Sequence, residues 1–177
     1  MKKRKMEDMQ MRRTDREITD LTTMEQIIAN GHVITLGINT ADAAPYVVPT
    51  NYGYEFDQDK LTLYIHGAPV GKKRTLIQAD NRVSFNIVTN TALYQPNDDK
   101  LSHYSYFYQS IYGVGKAVLV SDLTEKEHAL RLVLKHEVGH DVPGNIDPHD
   151  LKYVGVIRID VASFTGKQHA QPSGPEK

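Results

Sequence analysis

Apolar and polar side chains alternate along much of the chain, which is the pattern of half-buried β-strands. The segment 82–88 (RVSFNIV) shows it most clearly, since every second residue is apolar. Other runs, rich in β-branched and aromatic residues, also predict strands. Together with 82–88, the predicted strands are 32–39, 46–54, 61–65, 104–120 and 153–159.

Helical signals lie between these strands. Thr22 and Glu25 have the spacing of a capping box, and the apolar stripe that follows ends at Asn30–Gly31. Two more helices and two polar loops are predicted, with the helices at 69–80 and 124–136 and the loops at 89–103 and 139–151. Six strands with three interspersed helices predict a mainly β fold, a small β-barrel with helices on its rim.

Pro49 interrupts the predicted strand 46–54. Proline has no backbone N–H group, so it cannot donate to the hydrogen-bond ladder of a central strand. We therefore expect a bulge or a kink at Pro49, with free backbone groups nearby.

Length and composition are those of one globular domain with a sizeable core: 177 residues, 40% hydrophobic and 24% charged. The chain has no apolar run of membrane-spanning length and no signal-peptide pattern, so we expect a cytoplasmic protein without a membrane partner. The formal net charge of −1 argues against a nucleic-acid partner. The absence of cysteine excludes disulfides, thiolate catalysis and cysteine-bound metals.

The two ends of the chain differ in composition from the rest. Residues 1–17 are polar and open with the basic run MKKRK, which is typical of a solvated, mobile arm. Residues 168–177 are polar and contain two prolines, which predicts a disordered tail. The predicted organisation is therefore a flexible basic arm at 1–17, one domain at 18–167 and a disordered tail at 168–177.

The stretch 61–81 has the most informative chemistry. An apolar strand leads into a turn with Gly67 and Gly71, and a helix then begins near Lys72 and Lys73. Glycines let a ligand approach the backbone closely, and the N–H groups at a helix start are unpaired and partly positive. Free amides, the helix dipole and two ammonium groups together favour a bound phosphate, although the spacing is not that of a P-loop.

His66 and the aromatic run 104–112 each have two interpretations. His66 is either a hydrogen-bonded surface histidine or a group that bonds a phosphate or donates a proton. The run 104–112 is either a barrel strand with packed rings or a stacking wall for a planar ligand. An aromatic strand of this kind also indicates an interface, so we expect a C2 homodimer with this strand at or near it.

The segment His136-Glu137-Val138-Gly139-His140 matches the H-E-x-x-H zinc motif. Two histidines four apart on a helix share a face and can bind zinc, while the glutamate polarises a water molecule. The segment lies at a predicted helix end, however, and histidines at a helix C-terminus are favoured by the dipole without any metal. We expect no metal site, and a zinc metallopeptidase is the less favoured alternative.

Short sequence motifs follow one another over residues 11–168 in an order that is specific as a set. They are MRR with DREI at 11–18, PYVVPTNYGY at 45–54, LYIHGA with GKK at 63–73, RVSF at 82–85, YQSI with GVGKA at 108–117, and TGK at 165–167. This ordered set resembles the pyridoxamine 5′-phosphate oxidase-like superfamily of FMN-binding split barrels, and within it the nitroimidazole-resistance (Nim-type) reductases. The resemblance implies a six-stranded Greek-key split β-barrel and a homodimer with FMN at its interface.

The resemblance also implies three groups of FMN-binding residues: one beside the isoalloxazine ring, one around the phosphate and one from the partner subunit. In that order they are Val48, Pro49, Thr50 and Asn51; His66, Gly67, Ala68, Lys72 and Lys73; and Tyr108, Gln109 and Ser110. Pro49 would then free backbone groups for the flavin edge. Many relatives have arginine where Gln109 stands, so a positive contact is lost there.

The function that the resemblance implies is that of an FMN-dependent oxidoreductase. A hydride would pass through flavin N5 from a reduced nicotinamide to a small aromatic or nitroaromatic acceptor, with the redox chemistry supplied by the flavin. His66 is the candidate general acid. The main alternative is a non-catalytic dimer that binds FMN at the same site.

Overall fold

The structure is a computed structural model and describes residues 11–41 and 43–170. These residues form eight strands, four α-helices and two short 3-10 helices, which confirms the predicted mainly β fold with helices at its rim. In chain order the elements are β1 (Glu17–Ile18), α1 (Leu21–Asn30), β2 (Ile34–Ile38), β3 (Tyr46–Thr50), β4 (Gly53–Asp57), β5 (Lys60–Gly67), α2 (Lys72–Ala79), β6 (Arg82–Tyr94), β7 (Ser105–Val120), α3 (Leu123–Val138), α4 (Pro148–Tyr153) and β8 (Gly155–His169).

The strands form one antiparallel sheet in the order β3-β2-β6-β7-β8-β5-β4, with β1 paired to the end of β8. Strands β3 and β4 are at opposite edges, yet only Asn51 and Tyr52 separate them in sequence. Three Cα–Cα steps span at most about 11 Å, so the sheet must curl until its two edges approach each other. The edges are not paired with each other among the described strands, so the barrel is split rather than closed.

The hydrophobic core fills the inside of the curled sheet. Leu36 on β2 pairs with Phe85 on β6, and both side chains are buried, as are their neighbours two residues away. This burial follows from the alternation in the sequence, because successive side chains of a strand point to opposite faces. The core burial thus explains the regular register of β2 with β6.

The residues between these core positions face outwards. Cross-strand partners share a face, so the pairings β3–β2, β2–β6 and β6–β7 define one continuous surface. We call this surface the outer face; it comprises Thr35, Gly37, Val47, Pro49, Ser84, Asn86, Val88, Ser110, Tyr112 and Val114.

The predicted bulge at Pro49 is wrong. The register of β3 with β2 is regular through Pro49, which lies opposite Thr35. Proline is tolerated here because β3 is an edge strand, with β2 as its partner in the described sheet. The predicted strand 46–54 breaks instead at Asn51–Tyr52, where the chain crosses between the sheet edges. This break and the short strand β1 give eight strands rather than the predicted six.

Two assignments around the helices also need correction. The N-cap of α1 is Asp20 and not Thr22, since the Asp20 carboxylate accepts a hydrogen bond from the Thr23 backbone N–H at 2.8 Å. Aspartate is as good an N-cap residue as threonine, and its negative charge is stabilised by the positive end of the helix dipole. Helix α4 occupies part of the predicted loop 139–151, and its first turn combines an Asp147 cap with Pro148.

The sheet extends close to both limits of the described chain. Strand β1 pairs with β8 from Glu17 onwards, and residues 1–10 of the predicted basic arm lie outside the described residues. Strand β8 runs to His169, because Gln168 and His169 still pair with β7; residues 171–177 of the predicted tail lie outside the described residues. None of the helices in the described ranges combines the length and hydrophobicity that a membrane span needs.

Candidate cofactor-binding site

The predicted phosphate turn lies between the end of β5 and the start of α2. Gly71 is the N-cap of α2, and its φ of 133° is a conformation that glycine adopts far more readily than other residues. Among the described residues no side chain caps this helix start, and its first turn has no acidic residue. Its backbone N–H groups and positive dipole end are therefore suited to an anion.

Two lysines begin this helix in different surroundings. Lys72 is exposed, whereas Lys73 is half-buried. Burial lowers the pKa of Lys73, because a charged ammonium is disfavoured away from water. A bound anion would counter this effect, since an opposite charge nearby favours the protonated form. Arg74 contacts the backbone instead and donates from Nη1 to the Val156 carbonyl oxygen at 3.2 Å.

His66 lies at the end of β5, beside the turn. Its Nδ1 atom is buried and has no hydrogen-bond partner among the described residues. Such an atom costs free energy and is usually satisfied by a ligand or by water. A Cβ built on the next residue, Gly67, would have no heavy atom within 4 Å. His66 and Gly67 are successive strand residues, so this open space lies on the other face of β5 from the His66 ring. The unpaired nitrogen and the open space are thus two separate features of the same turn.

Strand β8 fixes the path of the turn from the opposite side. Gly67 pairs with Gly155 at the start of β8. A Cβ on Gly155 would collide with the backbone of Ala68 and Pro69. Only glycine therefore lets the turn lie this close to β8.

The start of α2 also contacts the edge strand β3. The Lys72 Nζ atom lies 4.7 Å from the ring centroid of Tyr46, the first residue of β3. From Tyr46 the strand leads past Val48 and Pro49 to Thr50 at its end. One chain thus brings together the predicted phosphate turn and the strand predicted to lie beside the isoalloxazine ring.

The third predicted group, residues 108–110, lies elsewhere. Helix α2 packs near Ala117 on β7, where residues of both elements border the same cavity. Gln109 is eight residues away along the strand, or roughly 26 Å at 3.3 Å per residue. Residues 108–110 therefore lie far along β7 from the part of α2 that borders this cavity, residues 77–79, and their role in the partner's site stays a prediction.

Gln109 is held by neighbours on both sides. Its side-chain oxygen accepts a hydrogen bond from Asn90, and its Nε2 donates to Gln168 Oε1 at 3.2 Å. The next residue, Ser110, donates from Oγ to the Lys167 carbonyl oxygen at 3.4 Å. These contacts connect the segment to β6 and β8.

The H-E-x-x-H segment does not have the geometry of a zinc site. Helix α3 ends at Val138, and Gly139 follows in the left-handed conformation, so His140 lies beyond the helix. His136 Nδ1 lies 2.7 Å from the Tyr52 carbonyl oxygen and Nε2 lies 3.1 Å from that of Ala29. Both ring nitrogens face backbone acceptors, which leaves neither lone pair directed at a metal ion.

The fold is a split barrel in which the predicted phosphate turn lies beside the edge strand β3. The chain belongs to the pyridoxamine 5′-phosphate oxidase family, which it matches over residues 20–168. The resemblance drawn from the motifs is thereby confirmed. A comparison with curated proteins found no match.

Three solved structures illustrate the similarity. A candidate 5-nitroimidazole antibiotic resistance protein from Bacteroides thetaiotaomicron is 30% identical over 86% of each chain, with a TM-score of 0.73. A flavocytochrome from Azotobacter vinelandii is 16% identical over 95% of this chain and 76% of its own, with a TM-score of 0.73. An FAD-binding protein from Mesorhizobium loti is 23% identical over 88% of this chain and 98% of its own, with a TM-score of 0.58. The last two establish the fold alone.

Sequence reasoning missed two residues of this region. Tyr46 contacts the Lys72 ammonium group. Tyr46 and Val48 are two residues apart in β3, and this spacing could have placed their side chains on one face of the strand. Gly155 permits the close approach of the turn. Nothing local to Gly155 signals this role, because its neighbour comes from a distant part of the chain.

Proposed function

We propose that the protein binds FMN with its phosphate at the start of α2 and its isoalloxazine ring along β3. The observation that carries this proposal is the uncapped α2 start beside the unpaired Nδ1 atom of His66. Gly71 and the ammonium groups of Lys72 and Lys73 complete the phosphate site, and Gly67 and Ala68 lie in the turn between His66 and Gly71. Val48, Pro49, Thr50 and Asn51 border the ring, with the free edge of β3 offering backbone hydrogen bonds.

The bound flavin would supply hydride-transfer chemistry, so the expected reaction is reduction of a small aromatic or nitroaromatic acceptor by a reduced nicotinamide. The protein's own contribution is to hold the ring at the β3 edge and to limit access of water. His66 is the candidate for one of two roles: its buried Nδ1 atom either bonds the phosphate or, where the phosphate leaves it unpaired, serves as the general acid.

We also propose that the functional form is a C2 homodimer that uses the outer face. Val47 and Tyr112 on this face are exposed, as is Tyr106 farther along β7. Pro49 and Tyr112 belong to one cross-strand row, Pro49–Thr35–Asn86–Tyr112, so the outer face reaches the edge strand that borders the proposed flavin ring. Docking of a second copy there would let its residues 108–110 meet this flavin site.

A titration with FMN, FAD and riboflavin tests the cofactor assignment. We expect FMN to bind with the highest affinity of the three flavins. Changes in flavin absorbance and fluorescence report the binding. Addition of NADH or NADPH without oxygen should then bleach the bound flavin, and a nitroaromatic acceptor should restore its colour. Binding without bleaching would favour a non-catalytic FMN-binding dimer, and no binding of any flavin would refute the proposal.

A further inference from the structure

His136 is the one residue of the H-E-x-x-H motif that reaches across three elements of the described chain. Its Nδ1 atom lies 2.7 Å from the carbonyl oxygen of Tyr52, and its Nε2 atom lies 3.1 Å from that of Ala29 at the end of α1. A carbonyl oxygen only accepts, so the imidazole donates to one carbonyl when neutral and to both when it is a cation. The ring thus connects α3 with both α1 and the segment between β3 and β4.

The segment between β3 and β4 consists of Asn51 and Tyr52, and we call it the corner. Tyr52 is fully buried and donates from its hydroxyl group to the Ile28 carbonyl oxygen at 2.6 Å. Its ring centroid lies 4.6 Å from that of His136. Burial raises the pKa of Tyr52, so its hydroxyl keeps the proton that this hydrogen bond needs.

The residue after the corner is fixed by the same helix. A Cβ on Gly53 would lie 2.5 Å from the Val133 backbone nitrogen of α3. Helix α3 therefore presses directly on the start of β4, while His136 binds the corner one residue earlier. With only two residues between the strands, a shift of Tyr52 must also move Asn51 and the end of β3.

We infer that His136 is a positioning residue for the cofactor site: it holds the corner so that Thr50 and Asn51 keep their places at the end of β3. This inference rests on the proposed FMN site, in which those two residues border the isoalloxazine ring. The histidine acts through Tyr52 and does not itself contact the flavin. Its surroundings support a fixed ring, because His32 stacks on it at 5.6 Å and also lies 3.4 Å from the Glu137 carboxylate.

The test compares substitutions at two histidines of α3, His136 and His128. His136→Leu removes the ring nitrogens that face the Tyr52 carbonyl at the corner and the Ala29 carbonyl on α1, and His136→Gln keeps an amide donor. His128→Leu is the matched control, because His128 also bridges α3 to β4, through Glu55 Oε2 at 2.9 Å, but does not bind the corner. His136→Asn, which is polar and smaller, serves in place of the leucine variant if that variant does not fold.

FMN affinity and the visible circular dichroism of bound FMN are measured below the unfolding temperature of each variant. We expect His136→Leu to bind FMN roughly tenfold more weakly, the scale of one lost hydrogen bond, and to alter the dichroism at saturating FMN. His136→Gln should recover most of the affinity, and His128→Leu should match wild type in both measurements. A destabilised His136→Leu protein with wild-type affinity and spectrum would overturn the inference.

Hydrogen exchange in the absence of FMN separates this inference from the proposed function. We expect the peptide that covers residues 46–54 to exchange faster in His136→Leu, or in His136→Asn, than in wild type or His128→Leu. If wild type binds no FMN, the proposed function fails, and the exchange data still decide whether His136 holds the corner. Unchanged exchange in the His136 variants would refute the positioning role.

Discussion

The ammonium group of Lys72 lies 4.7 Å from the ring centroid of Tyr46. This contact joins the first residue of α2 to the first residue of β3, the two elements that border the proposed FMN site. A contact of this kind between a solvent-exposed ammonium and an aromatic ring contributes about 0.5–1 kcal/mol. Lys72 therefore supports β3 as well as the phosphate turn, whereas Lys73 has no ring contact of this kind in the described chain.

The first prediction concerns these two lysines. Lys72→Ala and Lys73→Ala should each weaken FMN binding by about 1.5–3 kcal/mol, or roughly ten- to a hundredfold, because each removes a charge-assisted contact to the phosphate. Isothermal titration at low salt measures the affinity. Lys60→Ala is the control, since Lys60 is exposed at the opposite end of β5 and should leave the affinity unchanged.

Riboflavin, which lacks the phosphate, provides the complementary measurement. Wild type should prefer FMN over riboflavin, and this preference should shrink in both lysine variants. The backbone N–H groups at the α2 start would retain part of the FMN affinity, so complete loss is not expected. Titration curves of both variants that overlay wild type would place the phosphate elsewhere.

The second prediction separates packing from binding on the same helix. Ile77 is 2% exposed and belongs to the main core, whereas Leu76 is only partly buried against it. Ile77→Ala should lower the free energy of unfolding by about 2–5 kcal/mol through the cavity that it leaves. Denaturant unfolding measures this loss. The folded variant should bind FMN as wild type does, and weaker binding by fully folded protein would contradict the division of roles.

Much of the fold follows from local sequence pattern. The alternation in 82–88 predicts β6, and the strand, turn and helix of 61–81 predict the β5–α2 arrangement. Both succeed because side-chain period and turn chemistry act within a few residues. The α1 start at Asp20 was missed because two good capping residues, Asp20 and Thr22, stand close together and either could begin the helix.

The contacts that complete the candidate site are less predictable. Pro49 gives a clear local signal, but whether it marks a bulge or an edge depends on the strand order, which the sequence pattern does not contain. The contact of Gly155 with the backbone of Ala68 and the contact of His136 with the Tyr52 carbonyl oxygen also depend on the strand order. Each of these contacts joins residues that are far apart in the chain, so only the assembled sheet brings them together.

The third prediction tests the proposed dimer. Tyr112 is 44% exposed on the outer face, and a lysine there would place a charge in the interface without disturbing the core. Tyr112→Lys should therefore sediment as a monomer at a micromolar concentration where wild type is a dimer. Tyr153→Lys is the matched control, because Tyr153 is 63% exposed on α4 and lies outside the outer face. A wild-type monomer that still binds FMN would contradict the dimer.

The fourth prediction uses Gly67 as a steric probe of the phosphate turn. A Cβ at this position would meet no heavy atom within 4 Å, so Gly67→Ala should leave the flavin-free protein as stable as wild type. The added methyl group would occupy the space proposed for the phosphate, so FMN affinity should fall, and it should fall further in Gly67→Val. Thermal unfolding without FMN and titration with FMN measure the two effects separately.

Gly155→Ala is the matched variant for this probe. The added Cβ would collide with the backbone of Ala68 and Pro69, so Gly155→Ala should lower both the unfolding temperature and the FMN affinity. The Gly67 variants should lower the affinity alone, because their side chains enter open space rather than packed backbone. If Gly67→Val is stable and binds FMN as tightly as wild type, the phosphate does not lie in this turn, and the unpaired His66 Nδ1 atom then requires another partner.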